Sequence, residues 1–257
     1  MFDVKRPQPF QGAQMDKTKI KIQKPLWERL WELFEEYLFH IPSGPELFNQ
    51  YSDTNPSYDL PDAARIRREN LKNYLKCYKR PPKILLVGEA AGPWGCRFSG
   101  IPFTSESQLL AGVLPFKGEK TSNHETPYKE NSGEILWGAL LPEFPRFFLW
   151  NAVPLHPHKE GDPLTIRTPG QREIEKFCPL LKRLFNIIGP RHVIAVGRKA
   201  QSALGLIGVP CAYVRHPAQS GAREFRAGIN EIFARKKNPA GEARRESLSR
   251  KIPDKPE

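Results

Sequence analysis

The apolar residues of this chain change their spacing near residue 82. Before it they recur at helical intervals. Leu26, Trp27, Leu30, Trp31, Phe34, Tyr37 and Leu38 fall along one face of a 3.6-residue repeat that opens at Pro25, which predicts an amphipathic helix. Its aromatic stripe is expected to pack on the protein's own core, the usual fate of such stripes. Residues 42–61 carry Pro42, Gly44, Pro45, Pro56 and Pro61 and read as loop, with a second helix expected over 62–78.

After Pro81-Pro82 the apolar residues bunch into short unbroken runs: KILLVG at 83–88, RFFLWNAV at 146–153, HVIAVG at 192–197 and CAYVR at 211–215. Runs of this length, apolar throughout, are what strands covered on both faces require. Helical spacing over 170–188, 198–206 and 222–236 fills the gaps, and strands alternating with helices imply parallel pairing. The fold class expected is therefore α/β, a three-layer sandwich around a mainly parallel four-stranded sheet. An N-terminal helical extension over 1–80 should pack on a core unit at 81–236. From about 235 onward, Lys and Arg mix with Pro, Gly, Ser and Glu without apolar periodicity, so 237–257 is expected to be a basic, disordered tail. There is no internal repeat.

Composition narrows the class. A chain of 257 residues with 39% hydrophobic content can bury one sizeable core. Its formal charge of +12 and sequence pI near 9.6 favour polyanionic partners, nucleic acid first among them. Cys77, Cys96, Cys178 and Cys211 form no C-x-x-C pair, so neither a disulfide framework nor a zinc ribbon is expected and a reducing, cytoplasmic setting fits best. The first residues lack the apolar core of an export signal, and no run is long enough to span a bilayer. A monomer is the natural default.

In an open parallel sheet, ligands bind beyond the carboxyl ends of the strands. Three such ends would deliver chemistry to one rim. The first strand runs into Gly88-Glu89-Ala90-Ala91-Gly92, the second ends at Trp150-Asn151, and the fourth runs into Arg215-His216-Pro217. Singly these residues read as a solvated acid, a turn cap and a satisfied histidine; their conjunction points to a site. Two weaker constellations stand beside it. His156-Pro157-His158 offers two imidazoles but no third ligand for zinc, and more naturally shapes a pocket rim or meets phosphate. A Cys96–His216 nucleophilic pair lacks a nucleophile elbow.

GEAAGPWGCRFSGIPFTSE at 88–106 resembles the first motif of the uracil-DNA glycosylase superfamily, particularly the branch written GEAPG followed by TGRPF. Leu149-Trp150-Asn151 and VRHPAQSG at 214–221 resemble its base-reading strand end and its final HPS/HPA motif, in the same order, so that the likeness spans roughly residues 80–235. The resemblance implies a glycosylase that acts on DNA, double- or single-stranded, after drawing a damaged or modified base out of the stack. It implies catalytic roles for Glu89, which would orient or activate water and favour a cationic sugar, and for His216, which would donate to the pyrimidine O2. Gly88, Ala90, Gly92, Phe103 and Asn151 would bind the base, Phe103 by stacking and Asn151 by its polar edge. Arg215, Gln219, Ser220, Arg223 and Arg226 would meet DNA, with Arg235, Lys236, Lys237, Arg244 and Arg245 adding salt-sensitive affinity. The other reading is a slow or non-catalytic binder of damaged or single-stranded DNA.

Departures from the family pattern carry expectations of their own. Some branches place an acidic or amide group where Ala90 stands, which leaves Glu89 to act alone. Branches strict for uracil place a bulky tyrosine at the position of Gly92; the glycine is expected to leave room for a 5-substituent, unless Trp94 closes the gap. The resembling branch commonly carries an iron–sulfur cluster on four cysteines. Here Cys178 stands at one such position while Pro154-Leu155-His156 replaces another, so no metal and no cofactor is expected. The loop after His216 has no large apolar wedge, which implies a polar or arginine plug, or a preference for single strands.

Overall fold

A computed structural model describes residues 24–237. In chain order the elements are α1 (Leu26–Tyr37), β1 (Leu47–Phe48), α2 (Ala63–Lys76), β2 (Ile84–Ala90), α3 (Cys96–Ser99), α4 (Glu106–Leu110), α5 (Asn131–Leu140), β3 (Phe147–Val153), β4 (His156–Pro157), α6 (Gln171–Ile188), β5 (His192–Val196), α7 (Arg198–Leu206), β6 (Ala212–Val214) and α8 (Ala222–Lys237). The four apolar runs form one parallel sheet in the order β3-β2-β5-β6, with helices on both sides. Lys237, expected in the tail, instead closes α8. The side chains of Arg235, Lys236 and Lys237, and the whole of 238–257 with Arg244 and Arg245, lie outside the description. No helix among the described residues is long and apolar enough to cross a membrane.

β2 occupies an interior position, which is why Leu85, Leu86 and Val87 are wholly buried. Its pairing with β3 sets Gly88 opposite Asn151 and Ala90 opposite Val153, so that the two candidate motifs leave the sheet at the same level. β3 is an edge strand with all seven residues buried. Two tyrosines from α2 and the turn after it cap that edge. The Leu149 N–H donates to the Tyr74 hydroxyl at 2.7 Å, the Tyr78 hydroxyl donates to the Phe147 carbonyl at 2.9 Å, and the two hydroxyls lie 2.8 Å apart. The paired hydroxyls thus satisfy one N–H and one carbonyl on the open side of the ladder. One continuous apolar core runs from Leu26 on α1 to Phe233 on α8, including Phe34 stacked on Trp150 with ring centroids 4.5 Å apart.

A buried ionic network ties the segment ahead of the sheet to the segment behind β2. Asp59 receives Arg97 through two contacts, 2.7 and 3.1 Å, and Arg67 through one at 2.5 Å, with all three side chains fully enclosed. Arg67 also donates to the Thr121 hydroxyl and to the Gln50 and Asp53 carbonyls. Glu106 accepts the N–H groups of Thr121 and Ser122 at 2.6 and 2.8 Å and the Ser122 hydroxyl at 2.6 Å. Two cations and two anions balance there, and nearly every polar atom has a partner.

Candidate active site

The site forms where β2 and β3 end. A side chain at Gly88 would come within 2.5 Å of the Phe103 ring and 2.6 Å of Asn151 Oδ1, so only glycine admits both neighbours. Phe103 is held in the left-handed region, φ 54°, a conformation that costs a non-glycine residue about 1–3 kcal/mol and persists only where the surroundings impose it. The surroundings are α5. A Cβ at Gly133 would stand 2.5 Å from the Phe103 carbonyl, and Trp137 Nε1 donates to the Thr104 hydroxyl at 3.0 Å. Asn151 is 2% exposed, and its Oδ1 is enclosed without a hydrogen-bond partner.

His216 reaches the same place from the fourth strand. Its ring centroid is 5.8 Å from that of Phe103, and its Cβ lies against Gly197, whose φ of 94° makes the bend between β5 and α7. The Ala218 N–H donates to His216 Nδ1 at 3.2 Å, which leaves the ring proton on Nε2. Burial pulls the imidazole down to about 4, so at neutral pH it is an uncharged donor. Glu89, half-buried at the end of β2, has its carboxyl raised by burial; Lys199 on α7 opposes that shift. Phe103, Asn151 and His216 thus meet around Gly88, and Glu89 follows it at the end of β2.

The remaining expected residues fall into two groups. Arg215, Gln219 and Ser220 form the exposed turn after β6, where the Arg215 guanidinium donates to the Gln219 carbonyl at 3.2 Å and Gln219 and Ser220 are both left-handed, at φ 51° and 64°. Arg223 and Arg226 are exposed on the first turns of α8. Ala90 is still within β2. Gly92 does not leave open room: a Cβ there would overlap the carboxyl of Glu130, the residue preceding α5. Trp94 is turned outward against Tyr128, so the carboxyl and not the indole fills the gap.

Glu130 and Lys199 were invisible in the sequence. Glu130 lies in a polar stretch with no periodic signal, and Lys199 is one basic residue among many. Cys96 is no nucleophile: its thiol is buried, pushed up to about 12 chiefly by that burial, and its polar neighbours are Gln50 and Tyr51. His156 sets Nδ1 2.8 Å from the Ala91 carbonyl and Nε2 3.0 Å from the Pro163 carbonyl, so that its single N–H donates to one of them beside the loop after β2. Among the described residues no three His, Cys, Asp or Glu side chains group as metal ligands, and the four cysteines stand free of one another. They do not fit an iron–sulfur cluster.

A family model described as the uracil DNA glycosylase superfamily matches residues 75–240. The chain belongs to that superfamily. Membership brings a hydrolytic DNA glycosylase type of function and the setting of base excision repair. No curated protein matches the chain. Among solved structures it is similar to wild-type SMUG2 of Pedobacter heparinus, at 14% identity and a TM-score of 0.61, covering 84% of this chain and 100% of that one. At that identity the likeness concerns the fold, and it supports the uracil-DNA-glycosylase-like arrangement of sheet and helices.

Proposed function

We propose that this superfamily member is a monofunctional DNA glycosylase that flips out uracil or a related modified base and hydrolyses its N-glycosidic bond, leaving an abasic site. The observation that carries the reading is the convergence of Phe103, Asn151 and His216 on Gly88. Phe103 presents a face for stacking, and Asn151 an enclosed acceptor for the N3 or N4 edge of a pyrimidine. The neutral His216 donates from Nε2 to O2, where negative charge develops as the bond to C1′ lengthens; a preorganised donor in an enclosed site stabilises that charge most. Glu89, ionised, orients the water that attacks C1′ and takes its proton, while the base departs as an anion and is protonated afterwards. The turn at Arg215–Gly221 fills the space that the base vacates, and Arg223 and Arg226 hold phosphates.

The test uses single- and double-stranded oligonucleotides carrying uracil, hypoxanthine or 5-substituted uracils, incubated with protein and then treated with alkali. Alkali-labile ends are expected, and borohydride should trap no covalent adduct. Glu89→Gln should slow release by about 10²–10⁴-fold and His216→Ala by about 10²–10³-fold, both with unchanged melting temperature. DNA binding without labile ends on any substrate would identify a binder of damaged DNA instead.

A further inference from the structure

α7 opens against its own dipole. Its first turn holds two cations, Arg198 and Lys199, and no acid, and its N-cap, Gly197, offers no side chain to the exposed N–H groups. Cations there oppose the partial positive charge of the helix start, so local stability is given up for something else. Arg198 has an occupation: its guanidinium carbon lies 4.1 Å from the Tyr213 ring centroid, and Nη1 donates to Gln201 Oε1 at 2.9 Å. Lys199 has none. It is half-buried, and among the described residues its ammonium makes no hydrogen bond and no ion pair.

The sheet brings Lys199 to the level of Glu89. Val87 pairs with Ala195, so Glu89, two residues on, leaves β2 beside Gly197, from which α7 starts and packs on β2 and β5. A Cβ at Gly197 would meet that of His216 at 3.5 Å, so the same bend adjoins the imidazole. The half-buried Glu89 carboxyl also lacks a hydrogen-bond or ion-pair partner among the described residues. Burial raises it and the Lys199 charge draws it back. Few other charges bear on it. Of the elements packed most closely on β2, β3 has no titratable side chain, β5 has only His192, opposite Ile84 at the far end, and α7 adds only Arg198, engaged with Tyr213; His216 is neutral at neutral pH.

We propose that Lys199 is a positioning residue whose ammonium keeps the Glu89 carboxylate charged and its oxygens free for the attacking water, without touching the base. This rests on the glycosylase reading. A protonated carboxyl could not take the proton of that water, and a carboxylate bonded directly to a cation would have an oxygen already spent. A nearby cation that is not bonded to it avoids both.

The experiment follows base release between pH 5 and 8 under single turnover, on the best cleaved of the oligonucleotides above, for wild type, Lys199→Met and Lys199→Arg. Anisotropy of DNA binding and thermal melts accompany it. Lys199→Met should move the acid limb to higher pH, slowing release by about tenfold at its foot, the order expected when one nearby opposite charge is removed, and by less on the plateau. Lys199→Arg, which keeps the charge, should restore the limb. The melting temperature of Lys199→Met should hold or rise, because the first turn of α7 loses a cation. An unmoved limb overturns the inference. So does an equal loss at every pH with weaker DNA binding, which would make Lys199 a phosphate contact, or a loss that tracks a lowered melting temperature and is not rescued by Lys199→Arg. If wild type releases no base from any oligonucleotide, the glycosylase reading falls, and carbon-13 NMR of the Glu89 carboxyl decides the electrostatic link by itself. A titration that moves up in Lys199→Met and returns in Lys199→Arg sustains that link; one that stays in place ends it.

Discussion

Two buried polar groupings lie a short way apart along this chain and are built on opposite principles. In the first, Asp59 takes Arg67 and Arg97 directly and Glu106 takes the N–H groups of Thr121 and Ser122, so that charges balance and Arg97 Nε alone of these groups is enclosed without a partner. In the second, Asn151 Oδ1 and Glu130 Oε2 are enclosed with nothing to bind. A buried polar group left unmatched costs about 1–3 kcal/mol, so the enclosed Asn151 Oδ1 beside Gly88 and Phe103 calls for a reason other than stability. The satisfied grouping is architecture. Under the proposed function, the donors of a flipped base would meet Asn151 Oδ1.

Breaking the satisfied grouping should have the largest effect. Asp59→Ala leaves two guanidinium groups facing each other without a direct carboxylate partner; burial and Arg97 already draw Arg67 down to about 10. A loss of about 3–5 kcal/mol is expected in chemical denaturation. Asn151→Ala should behave in the opposite way. Stability should stay within about 1 kcal/mol, because no internal bond is lost, while kcat/KM falls by about 10²-fold. A large drop in melting temperature with Asn151→Ala would erase the contrast.

Smaller effects sharpen it through pH. The Glu130 carboxyl is raised from 4.5 to about 7, so its contribution is fully present below pH 4.5 and is lost as pH rises through 7. Glu130→Gln should therefore be more stable than wild type at pH 8, by about 1–3 kcal/mol, with the difference gone near pH 4.5 in paired thermal melts. His156 has the reverse sign. Lowered from 6.5 to about 4 mainly by burial, it supports the fold above pH 6.5 and withdraws that support as pH falls toward 4. Activity should show a milder dependence. An acid limb set by Glu89 is expected above the ordinary carboxylate range, and His216, neutral down to about 4, should add none between pH 5 and 8.

The sheet was legible because parallel strands covered on both faces leave uninterrupted apolar runs. The run at 146–153 became Phe147–Val153, and the helical spacing at 170–188 became Gln171–Ile188. Gly88, Glu89, Phe103, Asn151 and His216 could be singled out because strand ends and motif order coincide. What escaped was whatever tertiary contact alone decides. α5 has only ten residues with glycines at 133 and 138, and Gly133 is there for close approach to Phe103, not for helix propensity. The β1–β4 ribbon is two residues long, too short for any period to register. Gly92 read as vacant space because local sequence cannot reveal a carboxyl arriving from the far side of a polar loop.

The tyrosine cap on β3 makes the segment ahead of the sheet indispensable, though the family match takes in Tyr78 and begins just after Tyr74. A shortened chain starting at Pro82 would keep every motif of the site yet lose both hydroxyls, baring the Leu149 N–H and the Phe147 carbonyl along an apolar rim. Such a fragment is expected to seek another strand for that rim, and a second copy carries the same one.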